Sequence, residues 1–265
     1  MNITAILIAA AVIAVAGIIV GIGLGLFGEK FKVEVDEKEV AIREELPGNN
    51  CGGCGMAGCD AMAKAIVSGE APVNACPVGG EAAATKIAQI MGAEAGASKR
   101  MTAFVKCSGD CEAVTEKYDY YGTKDCAMMP FLPNGGSKSC SYGCCGYGTC
   151  AQVCQFDAIH VVGGVAVVDK EKCKACGQCV SHCPKHLIEL VPYDAKYLVR
   201  CSSKDKGKQV MQACKAGCIG CKKCERGCEA GAITVTDNLA HVDTDKCVSC
   251  GKCAADCSRK CITNN

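Results

Sequence analysis

The residues able to do chemistry here are cysteines, and their spacing says which chemistry. Cys173, Cys176, Cys179 and Cys183 stand two, two and three residues apart, and Pro184 follows. A tight loop with thiolates at that spacing wraps three corners of an inorganic [4Fe–4S] cube, while the fourth cysteine starts a helix that leads away. The spacing returns at Cys218, Cys221, Cys224 and Cys228, and again at Cys247, Cys250, Cys253 and Cys257. A degenerate copy precedes them: Cys140, Cys144, Cys145, Cys150 and Cys154. A shift of 74 positions lays Cys144 on Cys218, Cys150 on Cys224, Cys154 on Cys228, Cys173 on Cys247 and Cys183 on Cys257. Asp169, Lys172 and Gly177 coincide with Asp243, Lys246 and Gly251, so the region is an internal duplication.

Runs of this kind are the bacterial ferredoxin pattern. In two-cluster ferredoxins the fourth cysteine of a run ligates the other cluster, so each duplicated unit reads as one two-cluster module. Gln155, Glu229 and Ser258 stand where the pattern has proline. Proline favours the turn but supplies no ligand.

Composition bounds the alternatives. The chain has 265 residues, 27 of them cysteine, no tryptophan and a formal net charge of +1. So much cysteine often marks a disulfide scaffold, but the count is odd and the spacings are those of metal ligands. Zinc also binds CxxC pairs, mostly two well-separated pairs rather than four cysteines in one run. Thiolate clusters imply a reducing compartment, and near-neutral charge argues against nucleic acid as a partner. Aromatic residues make up 5% of the chain, so the small modules cannot build large cores, and metal binding is coupled to folding.

The elements that must position these cysteines begin with residues 3–27, which carry no charge and are long enough for a transmembrane helix. They lack the basic start and small-residue exit of a signal peptide, so they read as an uncleaved anchor. Gly17, Gly21 and Gly25 fall on one face, a small-residue pattern that lets helices approach closely in lipid. Lys30, Lys32 and Arg43 follow the span and no basic residue precedes it, which places the rest of the chain in the cytoplasm. Residues 32–46 read as a linker running into a short amphipathic helix, ended by Pro47 and Gly48. Cys51, Cys54 and Cys59 with a later Cys76 form a separate four-cysteine domain for one more [4Fe–4S] cluster, with zinc as the alternative. Residues 60–68 and 81–91 read as its helices.

Residues 93–100 are a small polar linker. Strands are expected at 102–106, ending at Cys107, and at 197–200, ending at Cys201; the first lead-in is roughly 20 residues longer, a loop insertion. Hairpins are expected at 158–168 around Gly163-Gly164 and at 232–242 around Asp237-Asn238. His160, His182, His186 and His241 form no ligand constellation, and no Walker loop or G-x-G-x-x-G follows a strand.

An N-terminal anchor, a CGGCGMAGC stretch with a later Cys-Pro, and tandem ferredoxin modules together resemble the B subunits of Rnf complexes, in the longer form of clostridia-like anaerobes. The resemblance covers essentially the whole chain. It implies an α+β fold with an N-terminal transmembrane helix, a small helical [4Fe–4S] domain and tandem two-cluster modules. The divisions fall at 1–28, 29–93, 94–139, 140–192 and 193–265. It also implies a membrane complex that oxidises reduced ferredoxin, reduces NAD+ and moves sodium ions or protons. In that family the B subunit carries electrons without a catalytic site of its own. The uncleaved anchor and the basic residues after it predict a single-pass protein of the cell membrane with its N-terminus outside.

The same pattern implies ligand sets for at least five clusters. Cys51, Cys54, Cys59 and Cys76 hold the first, and crossed ligation gives Cys154, Cys173, Cys176 and Cys179 the next. In the second unit the sets are Cys218, Cys221, Cys224 with Cys257, and Cys247, Cys250, Cys253 with Cys228. Tyr147 occupies the place of Cys221, so the degenerate run takes Cys140, Cys144, Cys150 and Cys183, with Cys145 competing for the missing corner. Cys107, Cys111 and Cys126 are candidates for part of a sixth cluster, or else buried or free thiols like Cys201, Cys214 and Cys261. Two other functions stay open at this point. One is a membrane-tethered polyferredoxin serving another redox enzyme such as a hydrogenase; the other is a non-redox scaffold stapled by clusters or zinc.

Overall fold

The computed structural model describes residues 3–30, 36–96 and 99–264. The expected charge at Lys32, the 31–35 part of the first linker and residues 97–98 of the second lie outside them.

Helix α1 runs over Ile3–Lys30. Its side chains are described at 3–4, 8 and 11–27, and over the described residues no helix is long and apolar enough to cross a membrane. The next domain is helical. Helix α2 (Glu37–Glu45) is capped by Asp36, whose carboxylate accepts the Lys38 N–H at 2.8 Å. Helices α3 (Cys59–Val67) and α4 (Gly80–Met91) each bury one apolar stripe, and these meet around Ile42, Met62, Ile66 and Ile87. Helix α4 stops at Gly92, which takes the left-handed conformation that closes a helix end.

Two units of the same design follow. In the first, β1 (Met101–Val105) pairs antiparallel with β4 (Ile188–Pro192), from Met101 opposite Pro192 to Val105 opposite Ile188. Between them lie α5 (Thr149–Gln152), the hairpin β2 (Ile159–Val162) and β3 (Val165–Val168), and α6 (Gln178–Ser181). In the second, β5 (Tyr197–Val199) pairs with β8 (Ile262–Asn264) around the hairpin β6 (Ile233–Thr236) and β7 (Leu239–Val242). Helices α7 (Gly207–Ala213), α8 (Lys223–Arg226) and α9 (Lys252–Ala255) complete it. Both hairpins close through two residues of positive φ, Gly163-Gly164 and Asp237-Asn238, the backbone that matches strand twist.

The lead-in strand is therefore part of each module's fold, pairing with its last strand. The longer first lead-in carries two 3₁₀ turns, Cys126–Phe131 and Pro133–Gly135. Thiols help fill both cores: Cys107, Cys150 and Cys173 pack with Ile159, Leu187 and Ile188, and Cys201, Cys218 and Cys261 pack with Ile233, Leu239 and Ile262.

The units are joined. Phe104 of β1, 1% exposed, packs with Val191 of β4 and Leu198 of β5. Lys215 N–H donates to the Ala113 carbonyl at 2.8 Å, and Ser202 Oγ to the Lys106 carbonyl at 3.1 Å. Phe104→Ala should cost about 3–5 kcal/mol, the range for an emptied aromatic site. Anaerobic urea denaturation followed by circular dichroism measures it, and an unchanged midpoint would mean that this contact does not hold the units together.

Candidate iron–sulfur sites

Local backbone places the cysteines. In each run a one-turn helix carries the third cysteine (Cys150, Cys179, Cys224, Cys253), and the fourth follows that helix rather than starting one as the spacing predicts; a left-handed residue turns the chain into it: Gly148, Gly177, Lys222 and Gly251 before α5, α6, α8 and α9. The loop thiols thereby face the next run's last cysteine. Three clefts are lined by thiols of these runs, and a fourth by Cys107, Cys140, Cys201 and Cys214.

One cleft holds Cys173, Cys176 and Cys179 together with Cys154. A second holds Cys144, Cys150 and Cys183. The last cysteine of each run thus faces the other run's loop. In the second unit Cys218, Cys221 and Cys224 share a cleft with Cys257, while Cys247 and Cys250 lie near enough to Cys253 to act on its charge. Cys228 receives the Ala232 N–H at 3.3 Å, as its repeat partner Cys154 receives that of Ala158 at 3.4 Å.

Two expected groupings fall differently. Cys126, grouped with Cys107 and Cys111 in the sequence, lines the cleft of Cys144, Cys150 and Cys183, as does Cys145. Its 3₁₀ turn is pinned there by the Cys126 N–H to Thr149 Oγ1 bond at 3.2 Å. Cys107 lines a different cleft with Cys140, Cys201 and Cys214, and Cys111 is exposed. Cys140 also borders a smaller cavity with Cys144 and Cys145. The sequence held an unused signal: the 74-residue shift that aligns the runs also lays Cys140 on Cys214.

In the helical domain, Cys54 and Cys59 are close enough to Cys76 to raise its thiol further, although burial is the larger cause. The Gly79 N–H donates to Cys76 Sγ at 3.3 Å. The Cys51–Cys54 loop lies directly on the first ferredoxin-like unit: Gln178 Nε2 donates to the Cys51 carbonyl. A methyl on Gly53 would stand 2.5 Å from the Cys176 carbonyl oxygen, so only glycine allows this approach.

The electrostatics suit bound metal. Burial pushes the Cys150 and Cys179 thiols up to about 12, and those of Cys201 and Cys224 up to about 11. The metal-free thiols are then protonated at neutral pH, and loading releases those protons, because the ligand is the thiolate. Spare thiols act in the opposite sense. A hydrogen bond with Cys145 lowers Cys126 to about 5, and bonds with Cys261 lower Cys218 to about 6 and Cys257 to about 5. Those bonds raise Cys145 and Cys261 in turn.

A single zinc draws its sulfurs to about 2.3 Å, whereas a cube sets each ligand sulfur on a different iron and spreads them. Four thiols around one cleft, with backbone N–H donors on the sulfurs, fit the larger group.

Known proteins agree. A family model described as a putative Fe-S cluster matches residues 46–78, and a 4Fe-4S binding domain model matches 166–189. The chain is 46% identical over 263 residues to the B subunit of the Na(+)-translocating ferredoxin:NAD(+) oxidoreductase complex of Acetobacterium woodii, covering 98% of this chain and 78% of that one. It is 44% identical to the B subunit of an ion-translocating oxidoreductase complex of Methanosarcina acetivorans, covering 95% of this chain and 96% of that one. The B subunit of the proton-translocating ferredoxin:NAD(+) oxidoreductase complex of Clostridium ljungdahlii is 38% identical, over 95% of this chain and 88% of its own.

Cys154→Ser should perturb the cluster bound at Cys173, Cys176 and Cys179. EPR of the reduced, anaerobically purified chain reads this. A change confined to the signal of the Cys144 and Cys150 site would show that ligation is not crossed.

Proposed function

Because the chain belongs to the B-subunit family of the ion-translocating ferredoxin:NAD(+) oxidoreductase (Rnf) complexes, we propose that its thiol-lined sites take electrons from reduced ferredoxin towards the other subunits. It is an electron-transfer subunit of such an oxidoreductase and translocase, and it binds [4Fe–4S] clusters. When bound, such clusters supply one-electron exchange at potentials set by charge, hydrogen bonds and exposure. The observation that carries the reading is contiguity: the Cys51–Cys54 loop touches Cys176, and the Cys154 and Cys144 sites share one core.

We assign four ligand sets as the family's pattern implies: Cys51, Cys54, Cys59, Cys76; Cys154, Cys173, Cys176, Cys179; Cys218, Cys221, Cys224, Cys257; and Cys228, Cys247, Cys250, Cys253. For the degenerate run we assign Cys144, Cys150 and Cys183 with Cys126 in place of Cys140. Its support is the shared cleft and a thiol already lowered to about 5. These sets make at least five clusters. The helical domain (29–93) and the two units, with boundaries at 94–139, 140–192 and 193–265, are the parts that hold them.

We read α1 as a single-pass membrane anchor with its N-terminus outside and the sites on the cytoplasmic side. Its support is a 28-residue helix whose described apolar side chains, such as Ile13 at 72% and Leu24 at 69% exposure, are left bare by the rest of the chain. Methyls on Gly17, Gly21 or Gly25 would meet nothing within 4 Å, so that face is open to another helix. Lys30 and Arg43 follow the span.

No G-x-G-x-x-G of the sequence follows a strand, and hydride formation needs two electrons, so we place the nicotinamide site on a partner. The full chain in detergent should be bleached by reduced ferredoxin and should form no NADH until the remaining subunits are added. Rapid NADH formation by this chain alone would overturn the assignment, and no bleaching would move electron entry to another subunit. Removing residues 1–28 should leave a chain that stays in the soluble fraction and keeps its iron. Continued membrane partition, or loss of all iron, would contradict the anchor.

A further inference from the structure

We propose that Cys107, Cys140, Cys201 and Cys214 form a further [4Fe–4S] site, made jointly by the two ferredoxin-like units. The inference rests on reading the other cysteine runs as iron–sulfur sites.

The four thiols line one cleft between the units. Cys107, Cys201 and Cys214 are buried to 8–9% exposure. The arrangement is a pseudo-twofold. Cys107 and Cys201 each sit two residues past the end of a lead-in strand, β1 and β5. Cys140 and Cys214 each sit four residues before the first loop cysteine, Cys144 and Cys218. Each unit supplies two ligands, and neither has four.

The sulfur environment repeats with the same symmetry. The Cys144 N–H donates to Cys107 Sγ at 3.4 Å, and the Cys218 N–H to Cys201 Sγ at 3.3 Å. Cys140 Sγ is met by the backbone of Tyr142 and Gly143, and Cys214 Sγ by that of Ala216 and Gly217, the 74-residue equivalents. Donors on sulfur stabilise the thiolate and are among the features that set a cluster's potential. Small residues keep the space: a methyl on Gly109 would stand 3.4 Å from Cys107 Sγ and 3.8 Å from Cys214 Sγ.

Charge points the same way. Arg200 lines the cleft, and its buried Nε has no hydrogen-bond partner. A charged group with one nitrogen buried and unpartnered favours an anion beside it. A cube with four thiolates is a net anion, because the thiolates outweigh the core charge. The cleft otherwise offers Arg200 no carboxylate.

The test uses the full chain, purified anaerobically, with iron assay and Mössbauer spectroscopy. The wild type should hold about 24 irons, from six cubes. Cys201→Ser with Cys214→Ser should hold about 20, with the remaining EPR signals unchanged, and Cys111→Ser should hold the wild-type amount. Wild-type iron in the double variant would overturn the site. A wild type holding zinc and no iron would instead sink the iron–sulfur reading beneath it. Should the double variant lose all iron by misfolding, Arg200→Gln decides: removing the positive charge should shift one EPR-detected midpoint to lower potential and leave the others in place. Midpoints that all stay unmoved would overturn the proposal.

Discussion

A thiolate taken out of water must be met by donors or by metal, and the chain is arranged around that need. Backbone N–H groups of Ala103, Ala158, Leu187 and Ala232 each point at a cysteine sulfur, at 3.3–3.4 Å. Those residues are also the apolar lining of the cores, so one segment both packs a thiol and stabilises its charged form. Strand, hairpin and one-turn helix are then fixed in relation to sulfur rather than to a separate apolar core. This explains how units with so few aromatics stay folded: the thiols occupy positions that larger side chains hold elsewhere.

The duplication and the hairpins were legible in the sequence because they rest on local rules. Loop cysteines at fixed spacing and paired turn residues such as Asp237-Asn238 act within a few positions. That Cys154 and Cys183 each line the other run's cleft was legible too, from the ferredoxin crossing rule. What stayed hidden depends on long-range approach. Cys126 reaches the degenerate site only because a 3₁₀ turn in the inserted lead-in docks on Thr149. Cys107 and Cys201 belong to no run; they are brought together by the packing of two strands around Phe104 and Leu198. The alignment of Cys140 with Cys214 was present in the spacing, but its meaning appears only when the units face each other.

Spare thiols add a means of adjustment. Cys145 lies against Cys126 in the first unit and Cys261 against Cys257 in the second, both proposed ligands, and each lowers its neighbour by hydrogen bonding. Cys257 Sγ and Cys261 Sγ are 3.6 Å apart. A protonated thiol beside a thiolate withdraws charge from it, which is one of the few ways a small apolar module has of tuning a bound centre.

The glycine contact at Gly53 bears on how the chain is made. The Cys51–Cys54 loop leaves the ribosome more than a hundred residues ahead of the Cys176 backbone it must rest on. At about 5–20 residues per second, it waits roughly 6–25 s with its outer side uncovered. The helical domain can fold in that interval, because Ile42, Met62 and Ile87 all precede the first module. Its docking face cannot close until Cys176 is made, so the earliest-made cysteines are the longest left uncovered during biosynthesis.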